Sequence, residues 1–515
     1  MRKAFLTLLG GLLLAGCGYR APMHQSYLPV VTDSTLYAGI RPDYQQLAAL
    51  MEKDTGMKPV EGNTVSLVFE GQENLDKILE DVRAAQKSVY IEPYRFCLDS
   101  VGTTLAGILK ERAAAGVDVR IILDKSANTD EDIKKLKKLR KDGAMVNTFH
   151  RPVFFLDRWI PKLATHRNHR KLLLLDGTTA YVGSRNIQDK YFFDWHDADV
   201  RITGPVLADL TEAFHGNQRN IGLHKQKPLF VAPDLEEKAL RDTMPGLEQF
   251  FGVPVQVVPE YPTDRQLPTR NGLEWALNHA KKYFWYYNPY SPPPQSTIDA
   301  LLQAARRGVD VRWIAPSITD IAPERSIAES MYEEMLEAGI RIYEWQDHMM
   351  HAKQYLCDDY LAIIGSTNMD NLSLFLNYEL LAFLYDERIC HRAAETFLRD
   401  LDAHCREITL EEVKRWPSPA SGATGSSASS EVRWHKHSIS NSFDMKKLFP
   451  ILAVLVLARK GKAIYARSGK DVLPDYDEAA VDLELPEECY VGLFLCSHEE
   501  DVVETGHFRN VVFKQ

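Results

Sequence analysis

One short pattern, H-x-K-x4-D-x6-G-S-x-N, occurs twice in this chain. It runs from His169 to Asn186 as HRKLLLLDGTTAYVGSRN and from His351 to Asn368 as HAKQYLCDDYLAIIGSTN. The fixed positions keep one interval throughout (351 − 169, 353 − 171, 358 − 176, 366 − 184 and 368 − 186 all equal 182). Two copies in strict register require a duplicated unit, and a duplicated unit places one site between its halves.

The repeat reaches beyond the motif. Upstream of each copy an apolar strand ends in a Pro-Tyr pair, SVYIEPY up to Tyr94 and YFWYYNPY up to Tyr290. A helical pattern follows, then the same pentapeptide, Gly116–Arg120 and Gly308–Arg312. There the apolar period changes from 3.6 to a continuous run, which reads as helix, glycine stop and buried strand. A second helix with a glycine stop, at Gly143 and Gly339, leads into MVNTF and RIYEW. Strand alternating with helix predicts an α/β fold of two duplicated lobes, each a mostly parallel β-sheet flanked by helices, with the site at their pseudo-twofold interface. The lobes are expected over 60–227 and 228–415, after an N-terminal tether or helix at 18–59.

Within each motif the histidine and lysine stand two apart, so on an extended strand both project to one face. Leu172–Leu175 fits a strand buried on both sides, Asp176-Gly177 a turn, and Ala180–Gly183 the returning strand. Residues 416–444 form a Ser/Gly/Ala/Pro-rich linker. In the appended segment 445–515, Met445-Lys446-Lys447 before the apolar run Leu448–Ala458 has the pattern of a second signal peptide, and equally suits a buried strand or helix or a fused reading frame. Its close, YVGLFLCSHEEDVVETGHFRNVVF, resembles the last strands of a concanavalin-like β-sandwich.

The start of the chain carries an address. Arg2 and Lys3 precede an apolar run, Ala4–Leu14, too short for the roughly 20 residues of a membrane span. Leu14-Ala15-Gly16-Cys17 resembles the lipobox of bacterial lipoproteins, which implies a signal peptide over 1–17 and a lipid on Cys17. That address predicts an envelope lipoprotein facing the periplasm, with the outer membrane favoured because Gly18 follows the cysteine. A net charge of −10 and a pI near 5.9 offer nucleic acid no overall attraction. Seven cysteines without a C-x-x-C pair give no zinc pattern and predict mostly buried thiols, with at most a late disulfide.

The motif residues suit phosphodiester cleavage without a metal or other cofactor. Two imidazoles titrate near neutrality and can divide the roles of nucleophile and general acid/base. Lys171 and Lys353 supply cations for the nonbridging oxygens, Asn186 and Asn368 supply hydrogen bonds, and Ser184 and Ser366 are expected to shape the same phosphate pocket. A histidine nucleophile also needs an acceptor on its far nitrogen. Asp197 and Glu379 each lie 28 residues beyond a motif histidine (197 − 169 and 379 − 351), which makes them the candidates. Asp176 and Asp358 complete the candidate catalytic set, although their place at the turn equally suits fixing that turn.

Together the paired motifs resemble those of the phospholipase D superfamily. The long second copy, HAKQYLCDDYLAIIGSTNMDNLSLFLNYEL, is most similar to bacterial cardiolipin synthases. The resemblance implies a phosphatidyltransferase acting on phosphatidylglycerol or a similar phospholipid, with His169 as nucleophile and His351 as acid and base. A hydrolytic phospholipase D is the nearest alternative, and a nuclease of the superfamily a more distant one. Those synthases usually carry transmembrane helices where this chain has Cys17. The segment RPVFFLDRWIPKLATHRNHR mixes basic and bulky apolar residues, suiting either a loop that dips into lipid or one packed between the lobes. His166 beside His169 has no carboxylate or cysteine at ligand spacing, so no metal is expected there, and His166, His196 and His215 read as satisfied or solvated histidines.

Overall fold

The computed structural model describes residues 37–149, 166–223, 228–232, 247–262 and 266–416, with three short strands in the C-terminal segment. Fifteen strands build one continuous sheet in the main body. The first half supplies β1 (Val60–Val68), β2 (Ser88–Glu92), β3 (Asp118–Asp124), β4 (Met145–Phe149), β5 (Leu172–Leu175), β6 (Thr179–Gly183) and β7 (Asp199–Thr203). The second supplies β8 (Phe250–Pro259), β9 (Tyr283–Tyr287), β10 (Asp310–Pro316), β11 (Arg341–Trp345), β12 (Gln354–Cys357), β13 (Leu361–Gly365), β14 (Leu380–Tyr385) and an edge strand β15 (Cys405–Ile408).

Their spatial order is β15-β11-β10-β9-β12-β13-β14-β8-β1-β7-β6-β5-β2-β3-β4. Read outward from the central β8–β1 pair, both halves follow the same order, so the duplication seen in the sequence is a pseudo-twofold in space. The antiparallel β1–β8 pair carries register shifts around Asn63, where the two halves join.

The expected α/β lobes are present, and the strands fall where the apolar runs predict them. Their direction differs from the expectation of a mostly parallel sheet. Among the strands of the sheet, parallel pairing is confined to β2–β3–β4 and to β9–β10–β11, and the remaining strand pairs are antiparallel. The cause is loop length. Each pair of neighbouring parallel strands is joined through a helical crossover, Ser100–Ala114 and Asp130–Leu136 in the first half and Gln295–Arg306 and Ala322–Glu337 in the second, which gives the length that parallel pairing needs. The motif strands turn back within three residues, at 176–178 and 358–360, and must pair antiparallel.

Two boundaries also move. The helix Gln45–Thr55, within the expected N-terminal tether or helix, packs its apolar face into the core of the second half beside Leu273, Ala276 and Trp275. Gln256 donates from its side-chain nitrogen to the carbonyl of Ala48 at 2.9 Å, and Asn271 donates to Asp54 at 2.8 Å. Conversely, residues 228–232, assigned to the second lobe from sequence, lie against the first. The Phe230 N–H donates to the Tyr90 hydroxyl at 2.8 Å, and Arg120 donates to the Pro228 carbonyl at 3.2 Å.

One hydrophobic core crosses the pseudo-twofold, joining Val65, Val182 and Val200 to Val255, Ile364, Leu380 and Leu384. The two halves therefore cannot separate without exposing it. Cys357 and Cys390 are buried free thiols, and Cys97 and Cys405 are half-buried free thiols. Cys17, Cys489 and Cys496 lie outside the described residues, as do the signal segment, the linker and residues 150–165. In the C-terminal segment, Val456–Lys460, Ala463–Arg467 and Val481–Asp482 form a small antiparallel sheet of their own. The apolar run before Val456 and the sandwich-like close lie outside the described residues. Among the described residues, no helix is long and apolar enough to cross a membrane.

Candidate active site

Each motif histidine enters the site on an extended segment just ahead of its strand, β5 or β12. That segment bridges to the opposite half. The His169 N–H donates to the Tyr378 carbonyl at 2.9 Å, and the Tyr378 N–H donates to the Arg167 carbonyl at 2.8 Å. The second copy repeats this: His351 N–H to the His196 carbonyl at 2.7 Å, and His196 N–H to the Met349 carbonyl at 3.0 Å. Residues 196 and 378 immediately precede the two candidate carboxylates. The bridges thus deliver each carboxylate to the histidine of the other half.

Glu379 approaches Nδ1 of His169 with both oxygens, at 2.9 and 3.1 Å. Asp197 approaches Nδ1 of His351 at 2.8 Å. Both carboxylates are fully buried. Burial acts to raise their pKa values, but His351 and Lys353 for Asp197, and His169 and Lys171 for Glu379, outweigh it and hold both ionised. An anionic acceptor fixes the histidine proton on Nδ1 and leaves Nε2 as a lone pair. Burial, with the lysines beside them, lowers His169 to about 4 and His351 to about 3, so both rings are neutral.

Lys171 folds back to donate to the His169 carbonyl at 2.5 Å, and Lys353 makes the same bond to His351. Burial depresses both ammonium groups, Lys353 to about 7. Each lysine's field reaches the histidine of the other motif, so the two motifs share one electrostatic environment. Between histidine and lysine the chain alternates as a strand should: Arg170 points the other way, fully buried. Its guanidinium donates to the carbonyls of Glu379 (2.9 Å), Ala213 (2.9 Å) and Glu260 (3.0 Å). The second copy has Ala352 there.

The serines take a different place from the phosphate pocket expected for them. Ser184 Oγ donates to Asp197 at 2.5 Å and Ser366 Oγ donates to Glu379 at 2.5 Å, while each accepts a backbone N–H from the next strand. A hydroxyl engaged on both sides supports the carboxylate and has no donor left for substrate. Asn186 accepts the Arg95 N–H at 3.2 Å. Asn368 is buried, and its Oδ1 has no hydrogen-bond partner among the described residues.

Asp176 and Asp358 stand apart from the histidines, at the far ends of β5 and β12. Each sits at φ 52° and turns its carboxylate onto three consecutive N–H groups. For Asp176 these belong to Gln86, Lys87 and Ser88, at 2.7–3.1 Å. For Asp358 they belong to Lys281, Lys282 and Tyr283, at 2.7–3.2 Å. That geometry ties the turn to the start of the neighbouring strand, and it corrects the inclusion of these aspartates among catalytic candidates.

Sequence reasoning gave no role to the aromatic walls. Tyr94 meets the His169 ring edge-on at 4.8 Å. Tyr191, Trp195 and Tyr290 surround the His351 ring at 5.2, 5.2 and 5.8 Å. The Pro-Tyr pairs closing β2 and β9 were the available signal, since both tyrosines follow a strand that ends at the site. His196 stacks on Trp345 at 4.4 Å and lies 3.4 Å from Asp400, a structural position as expected.

Two neutral imidazoles backed by buried carboxylates, with a lysine beside each and a pseudo-twofold relating the sets, define a phospholipase D-like double-histidine enzyme. Comparison with known proteins narrows the class. The chain belongs to the family described as "Cardiolipin synthase, PLD-like domain", whose model matches residues 78–216 and 273–401. It is 30% identical over 390 residues to cardiolipin synthase A of Pseudomonas fluorescens, covering 74% of this chain and 75% of the relative. With the cardiolipin synthase of Clostridium perfringens strain 13 it shares 28% identity over 386 residues, covering 72% and 77%. Among solved structures, phosphatidylserine synthase of Haemophilus influenzae Rd KW20 shares the fold at a TM-score of 0.53 and 14% identity, covering 70% of this chain and 93% of that one.

Proposed function

We propose that this chain is a phosphatidyltransferase of the cardiolipin synthase type, working through a phosphohistidine. The observation that carries the reading is His169, neutral and clamped at Nδ1 by both oxygens of Glu379, which leaves Nε2 as the nucleophile. In the first half-reaction Nε2 attacks the phosphorus of phosphatidylglycerol, and the bond to the glycerol oxygen breaks. His351 protonates that oxygen, having gained its proton as the phosphodiester's negative charge enters beside it. Lys171 and Lys353 neutralise the nonbridging oxygens. In the second, His351 takes the proton of a hydroxyl on another phosphatidylglycerol, and the alkoxide displaces His169. The products are cardiolipin and free glycerol.

Attachment to a membrane through lipidated Cys17, facing the periplasm, completes the proposal and is supported by the L-A-G-C string alone. Lipid analysis of purified protein with phosphatidylglycerol tests the chemistry. Cardiolipin should appear with wild type and vanish with His169→Ala; phosphatidic acid as sole product would replace the transferase by a hydrolase. Envelope fractionation of wild type and Cys17→Ala, with mass measurement of the mature N-terminus, tests the anchor. An unmodified wild-type terminus would remove it.

A further inference from the structure

The two sides of the site are built differently, and the difference identifies where the alcohol sits. Among the described residues, the His169 ring meets one aromatic wall, while three surround His351. On the His351 side the Tyr290 hydroxyl donates to Asp320 Oδ1 at 2.7 Å. The other oxygen of Asp320 lies 3.8 Å from the Lys190 ammonium, which itself rides over the Trp195 ring at 3.6 Å. Rings that touch His351 therefore hold a carboxylate and an amine beside it. Asp320 is 36% exposed along its side chain, open to a ligand. Its field reaches the Lys353 ammonium and the Tyr191 hydroxyl.

Among the described residues, the carboxylate on the His169 side, Asp124 beside Arg167, is buried rather than open. The pentapeptide offset (308 − 116 = 192) aligns Asp320 with Asn128. Asn128 is buried, accepts the Phe96 N–H at 2.6 Å and donates to the carbonyls of Tyr94 and Asp124 at 2.9 and 2.7 Å. That asparagine is consumed by the fold, whereas Asp320 is open to receive.

We infer that Asp320, Tyr290 and Lys190 form the alcohol subsite, holding a hydroxyl adjacent to the one that reacts at His351. The inference rests on the transferase reading above. A carboxylate only accepts, so its ligand must bring a donor, and it repels a phosphate. Lys190 already balances the charge of Asp320, which removes the demand for an ammonium. A hydroxyl satisfies both groups at once, accepting from the amine and donating to the carboxylate. The leaving glycerol and the incoming glycerol headgroup each present such a second hydroxyl, and both pass through this position in turn. Asp320 thus favours polyols over monohydric alcohols.

The test divides one phosphohistidine between competing acceptors, so the product ratio is insensitive to damage in the first half-reaction. Full-length protein is given phosphatidylglycerol with equal amounts of 1,2-propanediol and 1-propanol, and the phosphatidyl alcohols are separated by mass spectrometry. Wild type should favour the diol about tenfold or more, the scale of one hydrogen bond to a charged group. Asp320→Asn and Tyr290→Phe should bring the ratio within about twofold of one. A wild type without preference, or an Asp320→Asn ratio equal to wild type, would overturn the subsite alone. Preference for ethanolamine over the diol would overturn its assignment to polyols. Phosphatidic acid as the only product with every alcohol would overturn the transferase reading, and this subsite with it.

Discussion

Glu379 Oε1 lies 2.9 Å from Nδ1 of His169, a histidine of the opposite half, and Asp197 serves His351 in the same crossed way. Neither half holds a complete catalytic pair by itself. Crossed pairing predicts which variants are coupled. Glu379→Gln should lower kcat by about 10²- to 10⁴-fold, because the amide no longer fixes the proton on Nδ1. In a background of His169→Ala, where that bond is already lost, the same change should cost little more. Double-mutant cycles on phosphodiester turnover measure this. Stronger coupling of His169 to Asp197 than to Glu379 would contradict the crossed arrangement.

Asp176 and Asp358 should matter to stability more than to chemistry. Each carboxylate satisfies three N–H groups and sits at a positive φ that alanine tolerates poorly. Asp358→Ala should therefore destabilise the fold by about 3 kcal/mol, read by chemical denaturation, while kcat of the folded fraction stays within about threefold of wild type. Asp358→Asn, which keeps an acceptor and tolerates the backbone, should lose less. A large fall in kcat with unchanged stability would return these residues to the catalytic set.

Much of this was legible in the chain, and what was not has a physical reason. Glycine stops at Gly116, Gly143, Gly308 and Gly339, all at positive φ, mark the helix ends the pattern predicts. The motif register revealed the pseudo-twofold and the carboxylate candidates. It could not reveal the crossing, because exchanging partners between two equivalent halves leaves the 28-residue spacing unchanged (197 − 169 and 379 − 351). The serines were misread for a related reason. G-S-x-N stands next to the site in sequence, but alternation along the strand turns Ser184 and Ser366 toward the carboxylates behind the histidines. Strand direction depended on loop length, and the packing of Gln45–Thr55 on the second half depended on contacts more than 200 residues away (256 − 48 = 208).

Those serines yield a third expectation. Ser366→Ala removes one hydrogen bond to buried Glu379 and leaves the Leu380 N–H without its partner. The histidine loses rigidity while keeping its acceptor, so kcat should fall about tenfold, well short of Glu379→Gln, with KM little changed. Steady-state kinetics on a soluble diester substrate would show it. A rise in KM at constant kcat would instead place the hydroxyl on the substrate phosphate.

Lys353 sets the alkaline limit. Burial lowers its ammonium to about 7, so before substrate binds the cation is present below that pH and is lost as pH rises through it. Substrate capture needs the cation, hence kcat/KM should fall above about pH 7. A bound phosphodiester raises the same pKa by its charge, so the fall in kcat should come at higher pH. On the acid side His169 stays neutral down to about 4, and below that its Nε2 is protonated and capture fails again. Separate pH profiles of kcat/KM and kcat decide the matter. Coincident alkaline limbs in the two profiles would show that the depressed lysine does not govern capture.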